Sequence, residues 1–290
     1  MLSEGRLISL LVETIRKAAV SLPPDVERRI REAYVNEESG RAREMLRAIL
    51  DNIKLAREKG LPLCQDTGLI SFYVRAGTES PFIKPLCRIL RRAVTIATKE
   101  IPLRPNAVDI LTGVNSGDNT GSFIPWVSWE LIPDEDLLEV TVFLKGGGSE
   151  APCFSEVLPP AKGLRGAMKL VVNTIARHGP NPCPPLIIGI GLGGTFDIAC
   201  NLAKKALLRP IGSLNPRSPL AKLEEAMLEL INELGIGPYG VGGRTTALAV
   251  HVEAAHRHPA TFSVAMCVNC WALRRATLSI GPDGRWAIRQ

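Results

Sequence analysis

The stretch LPLCQDTG places a thiol, an amide and a carboxylate side by side at Cys64, Gln65 and Asp66. The residues that follow, LISFYVRAG, have the composition of a β-strand, so the three side chains would lie at the mouth of that strand. A nucleophilic Cys64 would require a base, and an ionised Asp66 beside it would disfavour the thiolate. Three interpretations stay open: a catalytic thiol, a metal ligand with an adjacent acid, and loop chemistry in which Asp66 caps a turn.

The other cysteines offer one close pair, Cys267-x-x-Cys270, in a chain that has seven cysteines. This pair could be half of a zinc site or a redox pair, but a structural zinc site usually takes a second close pair, which the sequence lacks. Cys87 and Cys200 fall within predicted helices, where we expect them to pack in the core. Spacing alone therefore predicts no zinc site.

Three cysteines share a different context, because each lies at a proline-rich or turn-rich edge of a predicted element. Cys64 precedes QDTG, Cys183 lies in GPNPCPPL, and Cys270 lies in NCW. Thiolates at such edges could point into one pocket and hold an iron–sulfur cluster with one iron left without a protein ligand. On spacing alone, three unrelated buried thiols are the default interpretation.

Glycine-rich turns recur along the chain, at residues 115–122, 145–150, 189–194 and 235–243. GIGLGG (189–194) follows an apolar strand and precedes a helix, as in a dinucleotide fingerprint, but that fingerprint also takes an acid about 20 residues further on. The corresponding segment, LLRPIGSLN, contains no acid, which favours a tight strand-to-helix turn or an anion site. KGGGSE (145–150) lacks the Lys-Ser/Thr ending of a phosphate loop.

The elements that must position these residues alternate between helix and strand. Apolar residues at helical spacing predict helices through about the first sixty residues and over about 83–99, 161–178 and 220–234. LISFYVRAG, LEVTVFLK, LIIGIGLGG, TTALAVHVEAA and TFSVAMCVN read as strands, and a terminal hairpin is expected at Gly281–Gly284. The sequence predicts an α/β fold, a single domain over residues 1–290 with a helical N-terminal segment (about 1–60) and a mixed sheet flanked by helices.

Composition excludes several classes of protein. Of the 290 residues 46% are hydrophobic and 22% charged, so the chain can bury a core and is not a disordered chain. We find no secretory or membrane segment and expect a cytoplasmic protein. The net charge of +6 suits anionic small molecules. We expect no nucleic-acid role, because only Arg88, Arg91 and Arg92 form a basic cluster and they lie on a predicted helix.

Several motifs, taken together and in order, resemble a known family. LPLCQDTG, NSGDNTG, KGGGSE, CPPLIIGIGLGGT, NELGIGPYGVGGRTTAL and NCWALRR are similar to the iron–sulfur hydro-lyases, which comprise the oxygen-sensitive fumarases and the α subunit of L-tartrate dehydratase. The resemblance runs from about residue 5 to the end of the chain. It implies the α subunit, or N-terminal half, of such an enzyme.

The resemblance implies a four-iron–four-sulfur (4Fe-4S) cluster with one open iron, held by the motif cysteines Cys64, Cys183 and Cys270. It implies substrate contacts from Gln65, Asp66, Arg104 and Gly147, with Asp66 also catalytic, and it leaves Cys267 outside the ligand set. In such a site the open iron acts as a Lewis acid on the hydroxyl that leaves, Asp66 gives or relays a proton, and Arg104 pairs with a substrate carboxylate.

The family also implies a partner, because its single-chain members carry a further domain that corresponds to a separate β subunit. We expect this chain to be half of an enzyme whose active site is completed by a β-type subunit. The expected assembly is a hetero-oligomer that contains a homodimer of this chain and binds a C4 dicarboxylate.

The chain departs from the family pattern at Ala151-Pro152 after KGGGSE, at Tyr239 in GIGPYG and at Ser128 in IPWVSWE. Of these departures, Ser128 and Ala151 bear on the substrate. The expected function is a fumarate hydratase, which interconverts fumarate and L-malate in the tricarboxylic acid cycle. L-tartrate dehydratase is the alternative within the family. A metal-binding or anion-binding module without catalytic activity is the alternative from another class.

Overall fold

Helices and strands alternate along the chain in the computed structural model, which describes residues 2–290. The α/β class is confirmed, and the predicted mixed sheet is present as two mixed sheets. The chain divides into two compact units, each built from separate segments. Unit 1 comprises residues 1–23, 52–147 and 274–290, and unit 2 comprises residues 24–51 and 148–273. A single catalytic domain over 1–290 stays a prediction, and each unit is described by itself.

Unit 1 contains a five-stranded sheet with helices packed on it. The elements of unit 1 are α1 (Glu4–Val20), β1 (Leu69–Gly77), α4 (Leu86–Glu100), β2 (Trp126–Ile132), β3 (Leu138–Lys145), β8 (Arg274–Ile280) and β9 (Trp286–Arg289). The strands follow the order β2-β1-β3-β8-β9 in the sheet, and only the β1–β2 pair is parallel.

The core of unit 1 follows from two residue periodicities. Leu7, Leu11 and Ile15 repeat at helical spacing on α1 and are buried, while alternate residues of β1, such as Phe72 and Val74, face the same cluster. Ser3 begins α1 by accepting a hydrogen bond from the Arg6 N–H. Periodicity visible in the sequence therefore accounts for the layer of helix on sheet in this unit.

The elements of unit 2 are α2 (Pro24–Asn36), the first part of α3 (Gly40–Lys59), all but the first residue of α5 (Gly147–Glu150), β4 (Phe154–Leu158), α6 (Gly163–His178), β5 (Leu186–Leu192), α7 (Phe196–Ala206), α8 (Ser218–Glu233), β6 (Ala247–Ala254) and β7 (Phe262–Asn269). Its strands form a four-stranded sheet in the order β4-β7-β5-β6, in which only β5 and β6 are parallel. Ile187 of β5 lies opposite Asn269 of β7. The start of β5 and the end of β7 therefore lie at the same end of this sheet.

The first glycines of GIGLGG serve helix packing in unit 2. A methyl group at Gly189 would lie 2.1 Å from the carbonyl oxygen of Ala203, and one at Gly191 would lie 2.0 Å from that of Ala199. Both carbonyls belong to α7, so only glycine lets this helix approach β5 so closely. The strand-to-helix interpretation of this motif is the one that the packing supports.

Among the described residues, no helix combines the length and apolar character needed to cross a membrane.

Candidate active site

The CQDT segment is an exposed turn between α3 and β1 in unit 1. Cys64 and Gln65 are exposed, Asp66 is half-buried and Thr67 is buried. The turn is anchored at Leu63, whose N–H donates to the Ala19 carbonyl (2.9 Å) and whose carbonyl accepts from the Asn52 side chain (2.9 Å). The thiol and the amide thus face solvent on a backbone that is fixed on its N-terminal side.

The Asp66 carboxylate is held by backbone N–H groups from two of the motifs. Its Oδ1 accepts from the Gly68 N–H at 2.9 Å, and its Oδ2 accepts from the Gly147 N–H at 2.8 Å. The first bond is the turn cap that sequence reasoning offered as the ordinary role of Asp66. The second bond links LPLCQDTG to KGGGSE, and capping the turn does not require such a bond.

Gly146 makes this arrangement possible. A methyl group at this position would lie 2.7 Å from Oδ2 of Asp66 and 3.2 Å from Nη2 of Arg274. The missing side chain therefore leaves room for a carboxylate and a guanidinium at one place in unit 1.

Arg274 is the residue of this site that sequence reasoning missed, although it lies within the NCWALRR motif. Its side chain is 2% exposed, and its Nη1 donates to the backbone carbonyl of Asp66. Its buried Nε has no hydrogen-bond partner among the described residues. A buried cation with an unsatisfied donor is costly, and it makes the Asp66 turn a favourable place for negative charge.

Arg104 lies on a loop whose backbone is tied to the same turn. Its N–H donates to Thr67 Oγ1 (3.0 Å), and its carbonyl accepts from the Asn119 side chain (3.0 Å). Asn106 Nδ2 donates to the Gly68 carbonyl at 3.1 Å. The Arg104 side chain is exposed, with no hydrogen bond or ion pair in the described part of the chain, so its guanidinium can bind an anion.

The NSGDNTG motif shapes this loop. Asn119 is buried with φ +60°, and its Oδ1 accepts from the Asn106 N–H at 2.6 Å. For Asp118, partial burial is the largest influence and raises the pKa, but hydrogen bonds from Thr120, Thr95 and Ser116 outweigh it and leave the pKa below its ordinary value. The ionised carboxylate holds the Thr120 N–H at 2.9 Å. The motif thus acts as a scaffold for Arg104.

The sequence-predicted ligands Cys183 and Cys270 belong to unit 2, whereas Cys64 belongs to unit 1. One residue ties together the turns that carry Cys183 and Cys270: the Tyr239 N–H donates to the Pro184 carbonyl (2.9 Å), and the Tyr239 hydroxyl accepts from Trp271 Nε1 (3.0 Å). These contacts give Tyr239, a departure from the family pattern, a structural role beside both thiols.

The exposure of the thiols fits a cluster ligand set. Cys64 and Cys183 are exposed and Cys270 is half-buried, and soft, accessible thiolates are the donors that iron–sulfur clusters take. Cys183 also has φ +55°, a strained conformation for a residue other than glycine.

The prediction that Cys87 packs in the core was wrong. Cys87 is exposed on α4, because the nearby apolar residues Leu86 and Ile89 occupy the buried face of this helix.

Comparisons with known proteins agree with these features. Residues 8–279 match the model of the family described as Fumarate hydratase (Fumerase). The L(+)-tartrate dehydratase subunit alpha of Escherichia coli K12 is 40% identical over 279 residues, which cover 96% of this chain and 92% of that protein. The putative L(+)-tartrate dehydratase subunit alpha of Methanocaldococcus jannaschii is 42% identical over 285 residues, 97% of this chain and 99% of that protein. The chain belongs to the Fumerase family.

Proposed function

We propose that this chain is the α-type subunit of a hydro-lyase that eliminates water from a four-carbon hydroxydicarboxylate, with L-tartrate as its substrate. The observation that carries the proposal is the Asp66 carboxylate, bound by the Gly147 N–H and bordered by the buried Arg274. The names of two relatives support tartrate. This reverses the order expected from the sequence, which put fumarate and L-malate first.

Interconversion of fumarate and L-malate is the second candidate, and the description of the matching family favours it. L-tartrate carries one hydroxyl group more than L-malate. A site that hydrogen-bonds this hydroxyl would reject the substrate lacking it by up to about 10⁴-fold, whereas a site that merely tolerates it would discriminate weakly. Relative rates therefore distinguish the two candidates.

Cys64, Cys183 and Cys270 are the residues that would hold a 4Fe-4S cluster. When bound, its iron without a protein ligand would supply Lewis-acid chemistry at the departing hydroxyl. Cys267, buried in β7, is left outside this set.

The remaining steps fall to groups of the chain. Arg104, with an exposed guanidinium on a tethered loop, would pair with a substrate carboxylate through two parallel hydrogen bonds. Gln65, exposed beside Cys64, would orient the substrate through its amide. Asp66 would hold or transfer a proton at Oδ2, which lies with Arg274 Nη2 beside Gly146. Gly147, whose N–H donates to Asp66, would lie beside the bound substrate.

A β-type subunit would complete the site, as the designation "subunit alpha" of the relatives suggests. A hairpin follows Arg104, closed by the bridge between Val108 and Asn115, and its tip exposes Ile110 (96%) and Leu111 (91%). Large aliphatic side chains that are almost fully exposed on an ordered hairpin mark an interaction surface. We assign this hairpin tip to the β-type partner because it continues directly from the Arg104 loop.

The substrate is tested by producing the chain with its β-type subunit under anaerobic conditions and measuring kcat/KM for L-tartrate and L-malate. The proposal expects tartrate to be preferred by at least about 10-fold. A preference for malate of that size establishes the second candidate. Absence of both activities in a preparation that contains iron and sulfide would overturn the hydro-lyase assignment and favour a binding module.

The partner surface is tested by Leu111→Asp, which should greatly reduce co-purification of the β-type subunit because it places a charge in an apolar interface. Val35, exposed on α2, supplies the matched control Val35→Asp, which should leave co-purification unchanged. Equal retention of the partner by both variants would remove the hairpin from the interface.

A further inference from the structure

Two cysteines outside the proposed cluster lie side by side in unit 2. The sulfur atoms of Cys153 and Cys267 are 3.7 Å apart. Cys267 is 3% exposed in β7, and Cys153 is half-buried directly before β4. No local sequence pattern indicates this pair, because 114 positions separate the two residues.

The sheet fixes this geometry. In the antiparallel β4–β7 pair Phe154 lies opposite Met266, so the next position along the register places Cys153 opposite Cys267. Side chains directly opposite each other on antiparallel strands point to the same face. Backbone pairing fixes Cys267 within β7 and fixes Phe154, the residue directly after Cys153, at the start of β4.

A carboxylate provides a third donor. Oxygen of Glu150 and the sulfur atoms of Cys153 and Cys267 all lie within 4.8 Å of one another. Glu150 is exposed and forms an ion pair with Lys204 (3.1 Å). The Val268 N–H donates to the sulfur of Cys153 at 3.3 Å, a bond that stabilises a thiolate when the proton is lost.

The distances match those of a zinc site. Two sulfur atoms bound to one tetrahedral zinc ion at about 2.3 Å each lie about 3.8 Å apart, close to the observed 3.7 Å. A disulfide would require the sulfur atoms to approach to about 2.05 Å and would leave the carboxylate without a role.

We propose that Cys153, Cys267 and Glu150 bind a zinc ion whose fourth position is open to solvent. Two thiolates and one carboxylate carry three negative charges, so the divalent ion with the ammonium of Lys204 makes the site neutral. Such mixed sulfur and oxygen donors suit zinc better than calcium or magnesium, which take oxygen ligands.

The site would have a structural effect on the glycine-rich turn. Glu150 ends the single helical turn α5 that Gly147 begins. A metal that binds Glu150 would fix the end of α5 to the sheet of unit 2. This inference does not depend on the reaction proposed above, since none of its three ligands belongs to that site.

The test is zinc analysis of the anaerobically purified full chain, with its cluster reconstituted, after one equivalent of zinc and dialysis. About one zinc per chain should be retained, and X-ray absorption at the zinc edge should report two sulfur atoms at about 2.3 Å with lighter atoms completing the shell. Iron content, measured in the same sample, reports on the cluster separately.

Variants locate the ion. Cys153→Ser should remove the two-sulfur signature, and Glu150→Gln should keep both sulfur atoms while weakening zinc binding by about tenfold or more. Cys200→Ser changes a half-buried thiol of α7 in the same unit and should leave zinc binding unaltered. The surface variant Glu150→Gln keeps the test meaningful if Cys153→Ser fails to fold.

Loss of all zinc on dialysis would overturn the proposal. A zinc shell of three sulfur atoms together with loss of iron would place the zinc on the cluster cysteines instead. A mass lower by two hydrogen atoms that requires both Cys153 and Cys267 would identify a disulfide in place of the metal site.

Discussion

Two glycine-rich turns, KGGGSE in residues 145–150 and GIGLGG in residues 189–194, have similar sequences and different neighbours. Gly146 leaves room for the side chains of Asp66 and Arg274, whereas Gly191 leaves room for the backbone of α7. The first turn serves a charged site and the second serves packing. A run of glycines therefore predicts that another part of the protein lies close to the glycine backbone. Whether that part is a charged side chain or a helix backbone decides whether the turn belongs to a site.

The largest effect that this comparison predicts is that of Asp66→Asn, which removes the charged group that the KGGGSE turn approaches. We expect kcat/KM to fall by about 10²–10⁴-fold, the usual contribution of a general acid or base. The asparagine can still accept from Gly68, so the turn should stay folded. Iron content should be unchanged, and activity close to that of the wild type would exclude Asp66 from proton transfer.

The next effect is that of Gly191→Ala, which tests the packing role of GIGLGG. The added methyl group would lie 2.0 Å from the Ala199 carbonyl, a backbone atom that moves only with its helix. We expect the free energy of unfolding, measured by denaturant titration, to fall by about 3 kcal/mol or more. A stable Gly191→Ala protein that has lost only activity would show that both turns belong to the site.

Gly146→Ala should act in the opposite way, with a smaller effect on stability than on rate. The group it meets is the end of a side chain, Oδ2 of Asp66, which can shift by about 1 Å. A misplacement of that size costs about 10²-fold in rate, while the free energy of unfolding should change by about 1 kcal/mol. Loss of folding without loss of specific activity would contradict the assignment of this turn to the site.

Gly148→Ala should have the smallest effect and serves as the control for both turns. Apart from its own neighbours in the chain and the backbone of α5, no atom lies within 4 Å of the methyl group it would add, and its φ is compatible with alanine. We expect stability within about 0.5 kcal/mol of the wild type and unchanged kcat/KM. A large loss of activity would mean that substrate or a partner approaches this position.

Local patterns in the sequence predicted most elements of the fold. LEVTVFLK is β3 to the residue, and the predicted helix at 161–178 corresponds to α6 at Gly163–His178. The division of the strands between two sheets was not predictable, since pairing joins distant segments whose register no local pattern encodes. Cys153 opposite Cys267 is the clearest example.

The candidate site was predictable to the extent that motifs carry it. Cys64, Gln65 and Asp66 drew attention through their residue types, and Gly147 and Arg104 came from the family resemblance. Arg274 and Asn119 were not predicted as site residues, because a buried arginine and an asparagine with positive φ act through contacts with distant segments. The one sequence feature that could have indicated them is that each lies in a family motif in which it had no assigned chemical role.

The Asp66–Arg274 contact spans 208 positions of the chain. During synthesis the CQDT turn leaves the ribosome long before β8, whose first residue completes its surroundings. Contacts of such long range slow folding, because closing the long intervening loop costs entropy before the contact can stabilise the fold. Asp66 therefore acquires its final environment only after residue 274 has been synthesised, and by then the whole of unit 2 has already been made.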